Sequence, residues 1–417
     1  MRRFNSILFL FLVISCSGEA SDQIGDTNTA SDSVVETDTI PEVEPLFCNK
    51  DVKVGAERLS EYLHLLKGKR VGIVGNQSSQ VGGVHLVDTL ISREILVKKV
   101  FSPEHGFRGK ADAGEHVSNE TDSKTGLPII SLYGKNKKPY DKQLAGLDIL
   151  VFDIQDVGVR FYTYISTLHY VMEAAAENDV AVIVLDRPNP NGHYVDGPIL
   201  KDGYESFVGM HQVPVVHGMS IGEYAQMING EYWLSDSLQC DLTVIPCKGW
   251  DHQKFYELPI APSPNLPNMT AVYLYPQLCF FEGTIVSVGR GTDYPFQVIG
   301  HPDYEANFSF EPAPNEGASH PKLEGETCYG VDLHESDLRT LRAEKQLGLG
   351  YLIDFYQQLG KGKDFFLENN FINLLAGSAE LKQQILDSKS AEAIRASWME
   401  GLKAFKKLRA KYLLYED

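Results

Sequence analysis

The chain has 417 residues, 43% of them hydrophobic and 23% charged, which is the composition of a globular protein large enough for two domains. Its formal net charge of −18 argues against nucleic acid as a partner, because phosphate binding needs clustered Lys and Arg. Much of the acidic charge lies in residues 17–47, which contain no Lys or Arg, so the remaining chain is only mildly acidic.

The first sixteen residues are typical of an export signal. Two arginines precede an apolar stretch at residues 7–14, and Val13-Ile14-Ser15-Cys16 resembles the bacterial lipoprotein processing site, at which the cysteine is acylated. The apolar stretch is too short to span a bilayer, so we expect a lipid anchor on Cys16 rather than a secretory signal or a transmembrane anchor. Residues 17–47 have the composition of a disordered tether that would hold the protein at a membrane of the bacterial cell envelope.

Between residues 48 and 254, strand and helix patterns alternate. The predicted strands are rich in Val, Ile and Leu without clean alternation, as in sheets covered by helices on both faces. This pattern favours an α/β fold with a Rossmann-like, doubly wound parallel sheet. The predicted strands lie at residues 70–75, 95–101, 149–152, 181–185 and 242–246, and the predicted helices at 55–66, 84–92, 167–178 and 221–229.

The texture of the sequence changes after residue 254. Proline, glycine and aromatic residues become frequent near residues 259–268, and helical patterns return at 381–386 and from 391 towards 412. We therefore predict a smaller α+β domain at residues 255–417, with the active site in the cleft between the two domains.

The cysteines that follow Cys16 are five in number, so they cannot all pair within the chain. None has the spacing of a zinc site, and buried free thiols are the favoured interpretation. No metal or cofactor is predicted. The five are Cys48, Cys240, Cys247, Cys279 and Cys328.

Three predicted strands each end in a burst of polar residues, and in an open parallel sheet such groups gather at one edge, where ligands bind. Glu104 follows the predicted strand at residues 95–101 and lies between Pro103 and Gly106, which favour a rigid turn. Burial would raise the pKa of such a carboxyl, and His105 would tune it, as a general acid requires. The alternative is that Glu104 only caps a helix or pairs with Arg108.

Asp153 and Asp156 follow the predicted strand at residues 149–152, close to Arg160 and Tyr162. One interpretation is a structural ion pair between Asp153 and Arg160, because buried charges must be paired. The other is that one aspartate holds a water or stabilises charge while Arg160 meets an anionic substrate group.

Further candidate ligands lie on the later loops. Arg187 and Asn189 belong to a proline-stiffened loop that suits a polyol or sugar, although it is equally a rigid turn, and His217 is either a ligand contact or a neighbour of a helix start. In the second half, glycines flank Arg290, which would bind a carboxylate bidentately or form an interdomain salt bridge. Ser263, Asn265 and Glu282 complete the predicted lips of the cleft, and Glu282 is a possible second catalytic carboxylate.

No dinucleotide fingerprint, phosphate-binding loop, zinc-protease motif or nucleophile elbow is present. The residues alone therefore predict a carboxylate-based hydrolase, or a binder of a polar or anionic ligand.

Several motifs together resemble one known family, the exo-β-N-acetylmuramidases of the NamZ type, first catalogued as a domain of unknown function. The resemblance extends over residues 55–417. It implies an enzyme that releases the non-reducing terminal N-acetylmuramic acid of peptidoglycan fragments, with the family's proposed catalytic glutamate at Glu104. The motifs are Ser102-Pro103-Glu104-His105-Gly106-Phe107-Arg108-Gly109, Val151-Phe152-Asp153-Ile154-Gln155-Asp156-Val157-Gly158, Leu185-Asp186-Arg187-Pro188-Asn189-Pro190, Pro262-Ser263-Pro264-Asn265 and Ser287-Val288-Gly289-Arg290-Gly291-Thr292.

With this resemblance, we expect Glu104 as the general acid and Asp156 or Asp153 as its partner, since glycoside cleavage usually needs two carboxyl groups. The lactyl carboxylate of muramic acid needs a cation, for which Arg160, Arg187 and Arg290 are candidates. The expected partner is a muropeptide or an amino-sugar oligosaccharide. The alternatives are a non-catalytic lipoprotein that binds muropeptides and a metal-dependent amidase or phosphatase.

Overall fold

The computed structural model describes residues 46–47, 49–103, 106–108, 120–360 and 364–417. Within them the strands are β1 (Arg70–Gly75), β2 (Gln80–Val81), β3 (Val84–His85), β4 (Leu96–Ser102), β5 (Glu120–Thr121), β6 (Pro128–Ser131), β7 (Ile149–Asp153), β8 (Ala181–Leu185), β9 (Leu242–Ile245), β10 (Val298–His301), β11 (Phe308–Phe310) and β12 (Cys328–Asp332). The helices are α1 (Leu59–Leu66), α2 (Leu86–Ser92), α3 (Asp141–Leu144), α4 (Tyr164–Glu177), α5 (Ile221–Gly230), α6 (Met269–Leu278), α7 (Leu338–Ala343), α8 (Gly350–Leu359), α9 (Phe371–Ala376), α10 (Glu380–Leu386), α11 (Ala391–Ala396) and α12 (Met399–Arg409). Short 3-10 helices lie at Asn49–Asp51, Gly55–Glu57, Ser235–Ser237 and Cys279–Gly283.

The main sheet contains six parallel strands in the order β6-β4-β1-β7-β8-β9, and the short β5 pairs antiparallel with β6 at one edge. Numbered by their own chain order, the parallel strands run 3-2-1-4-5-6, which is the order of a Rossmann-like doubly wound sheet. The predicted fold class is confirmed. Because the winding reverses at β1, the carboxyl ends of β4, β1 and β7 border the crevice where such folds bind ligands.

Helices cover both faces of this sheet. Along β8, Val182 and Val184 belong to the core cluster that includes α4 and α5, whereas Ile183 and Leu185 belong to the cluster that includes α1 and α2. Successive strand residues point to opposite faces, so both faces must be apolar, which explains why the strands showed no alternation. The first cluster continues into α6, α8 and α12, so one core joins the two halves of the chain in the compact unit Pro45–Asp417.

Some element boundaries differ from the sequence prediction. The helix predicted at residues 84–92 begins only at Leu86, because Val84–His85 pairs with β2 and the His85 Nδ1 atom accepts a hydrogen bond from the Val87 N–H. The final helix is not continuous but is divided into α11 and α12, and the Ser397 hydroxyl donates to the Ile394 carbonyl at the break, 2.6 Å away. The four-residue β6 was not predicted, since it is short and starts with a proline.

The second half of the chain contains the antiparallel sheet β10-β12-β11 and helices α6 to α12, a smaller α+β arrangement. Its last residues return to the parallel sheet, where the Tyr415 hydroxyl donates to Asp186 and the Leu414 N–H donates to Glu223 over 2.8 Å. The predicted boundary between residues 254 and 255 stays a prediction.

Four cysteines (Cys240, Cys247, Cys279 and Cys328) are free and buried, in agreement with the interpretation of structural thiols. Cys48, Cys16 and the predicted tether up to residue 45 lie outside the described residues, whereas Phe47 already packs edge-on against Phe255. Searching the described part of the chain for membrane spans finds no helix with the length and apolar character needed to cross a bilayer.

Candidate active-site cleft

The loop after β1 is hydrogen-bonded to the end of β7 and to the start of α4. The Asn76 side-chain oxygen accepts from the Ser78 N–H, and its amide donates to the Tyr164 hydroxyl over 2.9 Å. The Ser79 hydroxyl donates to the Asp153 carbonyl, and a Cβ on Gly75 would lie 2.6 Å from that hydroxyl oxygen. Glycine is therefore required where β1 ends, and the crevice has a rigid floor.

The loop after β4 carries two predicted site residues, Glu104 and His105, which lie outside the described residues. On its far side, Gly106 has a positive φ of 75°, as the predicted tight turn requires. Arg108 forms a bidentate ion pair with Asp122, at 2.8 and 2.9 Å, and this pairing holds the pKa of Asp122 well below its ordinary value. Arg108 thus has a carboxylate partner other than Glu104.

Asp153, which ends β7, forms a buried ion pair with Arg187. The Arg187 Nε and Nη2 atoms lie 2.6 and 3.0 Å from the two carboxylate oxygens, and both side chains are at most 4% exposed. Although burial disfavours its charge, the Asp153 carboxylate raises the pKa of Arg187. The ion pair expected between Asp153 and Arg160 is therefore not formed, and the guanidinium of Arg187 is engaged within the protein.

Arg160 is fully buried and donates to three main-chain carbonyls. Its Nη1 atom lies 2.8 Å from the Pro198 oxygen and 2.6 Å from that of Val213, and its Nη2 atom lies 2.8 Å from the Leu375 oxygen. Burial without a carboxylate partner lowers the pKa of Arg160 to about 9. These contacts tie the loop after β7 to α9, which is a structural role.

Asp156 is buried but, unlike Asp153, has no cationic partner among the described residues. One carboxylate oxygen accepts from the Gly158 N–H at 2.6 Å, and the other has no hydrogen-bond partner there. Burial raises the pKa of Asp156 to about 7. Burial also raises the pKa of Tyr162, and the negative charge of Asp156 contributes to this shift.

Asn189 and His217 are buried, and each forms a hydrogen bond with the main chain of Met219. The Asn189 amide donates to the Met219 carbonyl over 2.9 Å, and its oxygen accepts from the Asn191 N–H. His217 is fully buried, its Nδ1 atom accepts from the Met219 N–H at 3.3 Å, and burial lowers its pKa to about 3. Both residues satisfy main-chain groups around the start of α5, as their structural interpretations proposed.

A cleft of about 450 Å³, including the part open to solvent, brings together four of the predicted ligands, namely Tyr162, Ser263, Asn265 and Arg290. The Tyr162 hydroxyl donates to the Pro262 carbonyl over 2.8 Å, and the Asn265 amide donates to the Gly317 carbonyl over 2.7 Å. Both halves of the chain contribute to the walls. The remaining lining residues, which were not among the predicted ligands, are Phe161, Thr163, Tyr164, Leu266, Tyr275 and Phe296.

Arg290 is held in place at the cleft by Glu282 and Phe296. Its Nε atom lies 2.8 Å from a Glu282 oxygen, and its guanidinium carbon lies 4.9 Å from the centre of the Phe296 ring. Although burial opposes ionisation, Arg290 and Lys322 hold the pKa of Glu282 below its ordinary value. Glu282 thus orients the Arg290 guanidinium, which lines the cleft.

Lys322 could not be recognised from the sequence as part of the site, because a single lysine in a loop belongs to no motif. Its Nζ atom donates to the carbonyls of Phe281, Thr284 and Val286, at 2.6 to 3.0 Å, and fixes the segment that carries Glu282. Asn76, whose amide donates to the Tyr164 hydroxyl, could have been predicted as a site residue, because it directly follows a buried strand. No group of three His, Cys, Asp or Glu side chains with the geometry of a metal site occurs in the ranges that the structure describes.

The parallel sheet, together with a cleft lined by aromatic side chains and by Arg290, defines a Rossmann-like α/β protein with a candidate ligand site. Residues 71–270 match the family model described as "Exo-beta-N-acetylmuramidase NamZ, N-terminal", and residues 273–415 match the C-terminal one. The chain therefore belongs to the exo-β-N-acetylmuramidase NamZ family.

Individual relatives agree with this assignment. The chain is 40% identical over 376 residues to the peptidoglycan β-N-acetylmuramidase NamZ of Bacillus subtilis (strain 168), which covers 86% of this chain and 89% of that protein. Two crystal structures of DUF1343 family proteins from Bacteroides fragilis NCTC 9343 are also similar, each covering 88% of this chain and 99% of its own. Their TM-scores are 0.82 and 0.77, at 48% and 31% identity.

Proposed function

We propose that this protein is an exo-acting glycoside hydrolase that removes the non-reducing terminal N-acetylmuramic acid from peptidoglycan fragments during cell-wall turnover. One observation carries the proposal: the 40% identity, over most of both chains, to a curated peptidoglycan β-N-acetylmuramidase. The cleft supports a carbohydrate ligand, because aromatic side chains and an arginine line it together.

The cleft offers the chemistry that a sugar acid needs. Phe161, Tyr162, Tyr275 and Phe296 form edge-to-face aromatic contacts along its walls, with ring centres 5.0 to 5.8 Å apart, and such rings suit the apolar faces of a pyranose. Arg290 would bind the lactyl carboxylate. Of the three candidates, only Arg290 belongs to the described lining of the cleft, and it is favoured for this reason although its Nε atom also pairs with Glu282.

Glu104 is proposed as the general acid that protonates the leaving oxygen. The described residues around it support a rigid loop, because Pro103 follows β4 directly and Gly106 makes the turn. Asp156 is favoured over Asp153 as the second carboxyl group. Among the residues that the structure describes, one Asp156 oxygen has no hydrogen-bond partner and no cation pairs with the carboxylate, whereas both oxygens of Asp153 are occupied by Arg187.

The decisive experiment measures release of muramic acid from a chromogenic N-acetylmuramide. Glu104→Gln keeps the side-chain shape but cannot protonate the leaving group, so we expect turnover to be abolished while the circular dichroism spectrum and thermal midpoint stay those of the wild type. Near-wild-type turnover by Glu104→Gln would rule out this assignment. If the wild-type protein cleaved none of the muramides, the alternative of a non-catalytic protein that binds muropeptides would be favoured.

The N-terminal sequence supports a lipid anchor on Cys16. Acylation there would place the enzyme on a membrane of the bacterial cell envelope, with residues 17–47 as the tether. An anchored exo-enzyme of this kind would meet soluble fragments rather than intact wall.

A further inference from the structure

The loop after β4 lies between fixed neighbours. Pro103 directly follows the strand, and the Gly106 N–H donates to the Pro103 carbonyl over 3.3 Å, a hydrogen bond that spans positions 104 and 105. Phe107 is only 4% exposed and packs edge-on against His85, with ring centres 4.5 Å apart. The residues on each side of Glu104 are therefore held by defined contacts.

Arg108 is held between two aspartates that belong to different elements. Besides the bidentate pair with Asp122, its Nη1 and Nη2 atoms lie 3.4 and 3.3 Å from the two oxygens of Asp88. Asp122 directly follows β5, at the edge of the main sheet, and Asp88 lies in the first turn of α2. The guanidinium thus ties the end of the loop to a strand and to a helix at once.

Asp122 is itself fixed and is suited to hold a guanidinium. Its side chain is 3% exposed, one carboxylate oxygen also accepts from the Thr125 hydroxyl over 2.6 Å, and its N–H donates to the Leu127 carbonyl over 2.8 Å. Asp88 has a second partner in Lys124, 2.7 Å away. A bidentate pair between arginine and a carboxylate fixes direction as well as distance, so Arg108 has one preferred orientation.

We propose that Asp122 and Asp88 are positioning residues for the general acid, an inference that rests on the proposed function. Acting through Arg108, they hold the loop so that the Glu104 carboxyl can pass its proton to the leaving oxygen as the glycosidic bond breaks. Proton transfer needs a separation of hydrogen-bond length, and a displacement of about 1 Å can cost about 10²-fold in rate. The Asp122 contacts are the shorter ones, so Asp122 carries the larger share.

The test varies how much the reaction needs the proton. In the disaccharide of N-acetylmuramic acid and N-acetylglucosamine, the leaving oxygen is that of a sugar alcohol and must be protonated to leave. A dinitrophenyl N-acetylmuramide, unlike muramides of less acidic phenols, releases a phenolate that is stable enough to leave without a proton. A general loss of structure would weaken cleavage of both substrates alike.

Asp122→Asn should therefore lower kcat/KM on the disaccharide about tenfold, and on the dinitrophenyl substrate about twofold or less. Asp88→Asn, whose contacts are longer, should lower kcat/KM about threefold on the disaccharide and leave the dinitrophenyl substrate unchanged.

The chain offers a matched control in the ion pair between Arg70 and Asp148. This pair is also bidentate, with the Nη2 and Nε atoms 2.7 and 3.1 Å from the two carboxylate oxygens. It lies at the opposite edge of the sheet, because Arg70 begins β1 and Asp148 directly precedes β7. Asp148→Asn should change the cleavage of neither substrate.

A double variant tests whether Asp122 acts through Arg108. Arg108→Gln should show the same selective loss, and adding Asp122→Asn to it should lower the activity on the disaccharide no further. The inference is refuted if the two aspartate variants leave the disaccharide unaffected, if they weaken both substrates equally, or if the losses multiply in the double variant. A wild type that cleaves neither substrate would instead overturn the proposed function itself.

Discussion

The protonation state of Asp156 gives a prediction that is independent of any substrate. Burial raises its pKa from an ordinary value of 3.8 to about 7. A carboxyl whose pKa is higher in the folded state contributes stability that is fully present below the unfolded pKa and is lost as pH rises through the folded one. The shift of about 3 units corresponds to about 4 kcal/mol in total, of which about 3 kcal/mol falls between pH 4.5 and pH 8.

Asp156→Asn removes this titration, because the amide stays neutral at every pH. Its oxygen can still accept from the Gly158 N–H, although its new N–H₂ group needs an acceptor and costs about 1–3 kcal/mol at all pH values. We therefore expect the variant to gain about 3 kcal/mol relative to the wild type between pH 4.5 and pH 8. The test is how the difference in unfolding free energy between the variant and the wild type changes with pH. The cost of the amide group is the same at every pH and therefore does not affect this change.

The assay is urea unfolding of both proteins, followed by the fluorescence of the three tryptophans at a series of pH values. Subtracting the two free energies of unfolding at each pH removes the contributions of all other titrating groups. A difference that stays constant from pH 4.5 to pH 8 would show that Asp156 is ionised in the folded protein, and the argument from burial would then fail. A difference that shrinks with rising pH would have the wrong sign for a raised pKa.

Three further predictions follow from the same contacts. Arg187→Met should lower the free energy of unfolding by about 3–5 kcal/mol, because Asp153 is left buried without its partner, and a loss below about 1 kcal/mol in urea unfolding would contradict a charged pair. Arg290→Gln should raise KM for a chromogenic N-acetylmuramide about tenfold or more, and the wild type should show the same loss on an analogue whose lactyl carboxyl is reduced to an alcohol; an unchanged KM in the variant would mean that Arg290 does not bind the carboxylate. Cys16→Ser should abolish labelling with radioactive palmitate and move the protein from the membrane to the soluble fraction, and a variant that stays membrane-bound and labelled would exclude the anchor.

The sheet and one part of the site were accessible from sequence because both depend on strand ends. Apolar runs followed by polar bursts located β4, β7 and β8, and the carboxyl edge of a parallel sheet brings such bursts together whatever their spacing in the chain. Arg290 was recognised by the glycines beside it, which permit close approach to a ligand. Its position on the cleft agrees with that reasoning.

The partners of the buried charges were not accessible in the same way. Arg160 is only seven residues from Asp153 in sequence, yet Asp153 pairs with Arg187. This pair forms because β7 and β8 are neighbours and their register brings the two strand ends together. The strand order, once known, makes this pair predictable. The carbonyls that hold Arg160 come from residues 198, 213 and 375, and no local pattern could identify them.

The electrostatics of the cleft explain how an acidic protein can bind an anionic sugar. Much of the net charge of −18 comes from residues 17–47, and the effect of distant charges on a ligand is screened over about 10 Å at moderate salt. Inside the cleft the nearest charges decide the outcome. There, a Glu282 oxygen lies 2.8 Å from the Arg290 Nε atom and fixes the direction of the guanidinium. Glu282 consequently acts best as the group that aims the cation, and a carboxylate on the sugar would meet the Arg290 guanidinium at the wall of the cleft.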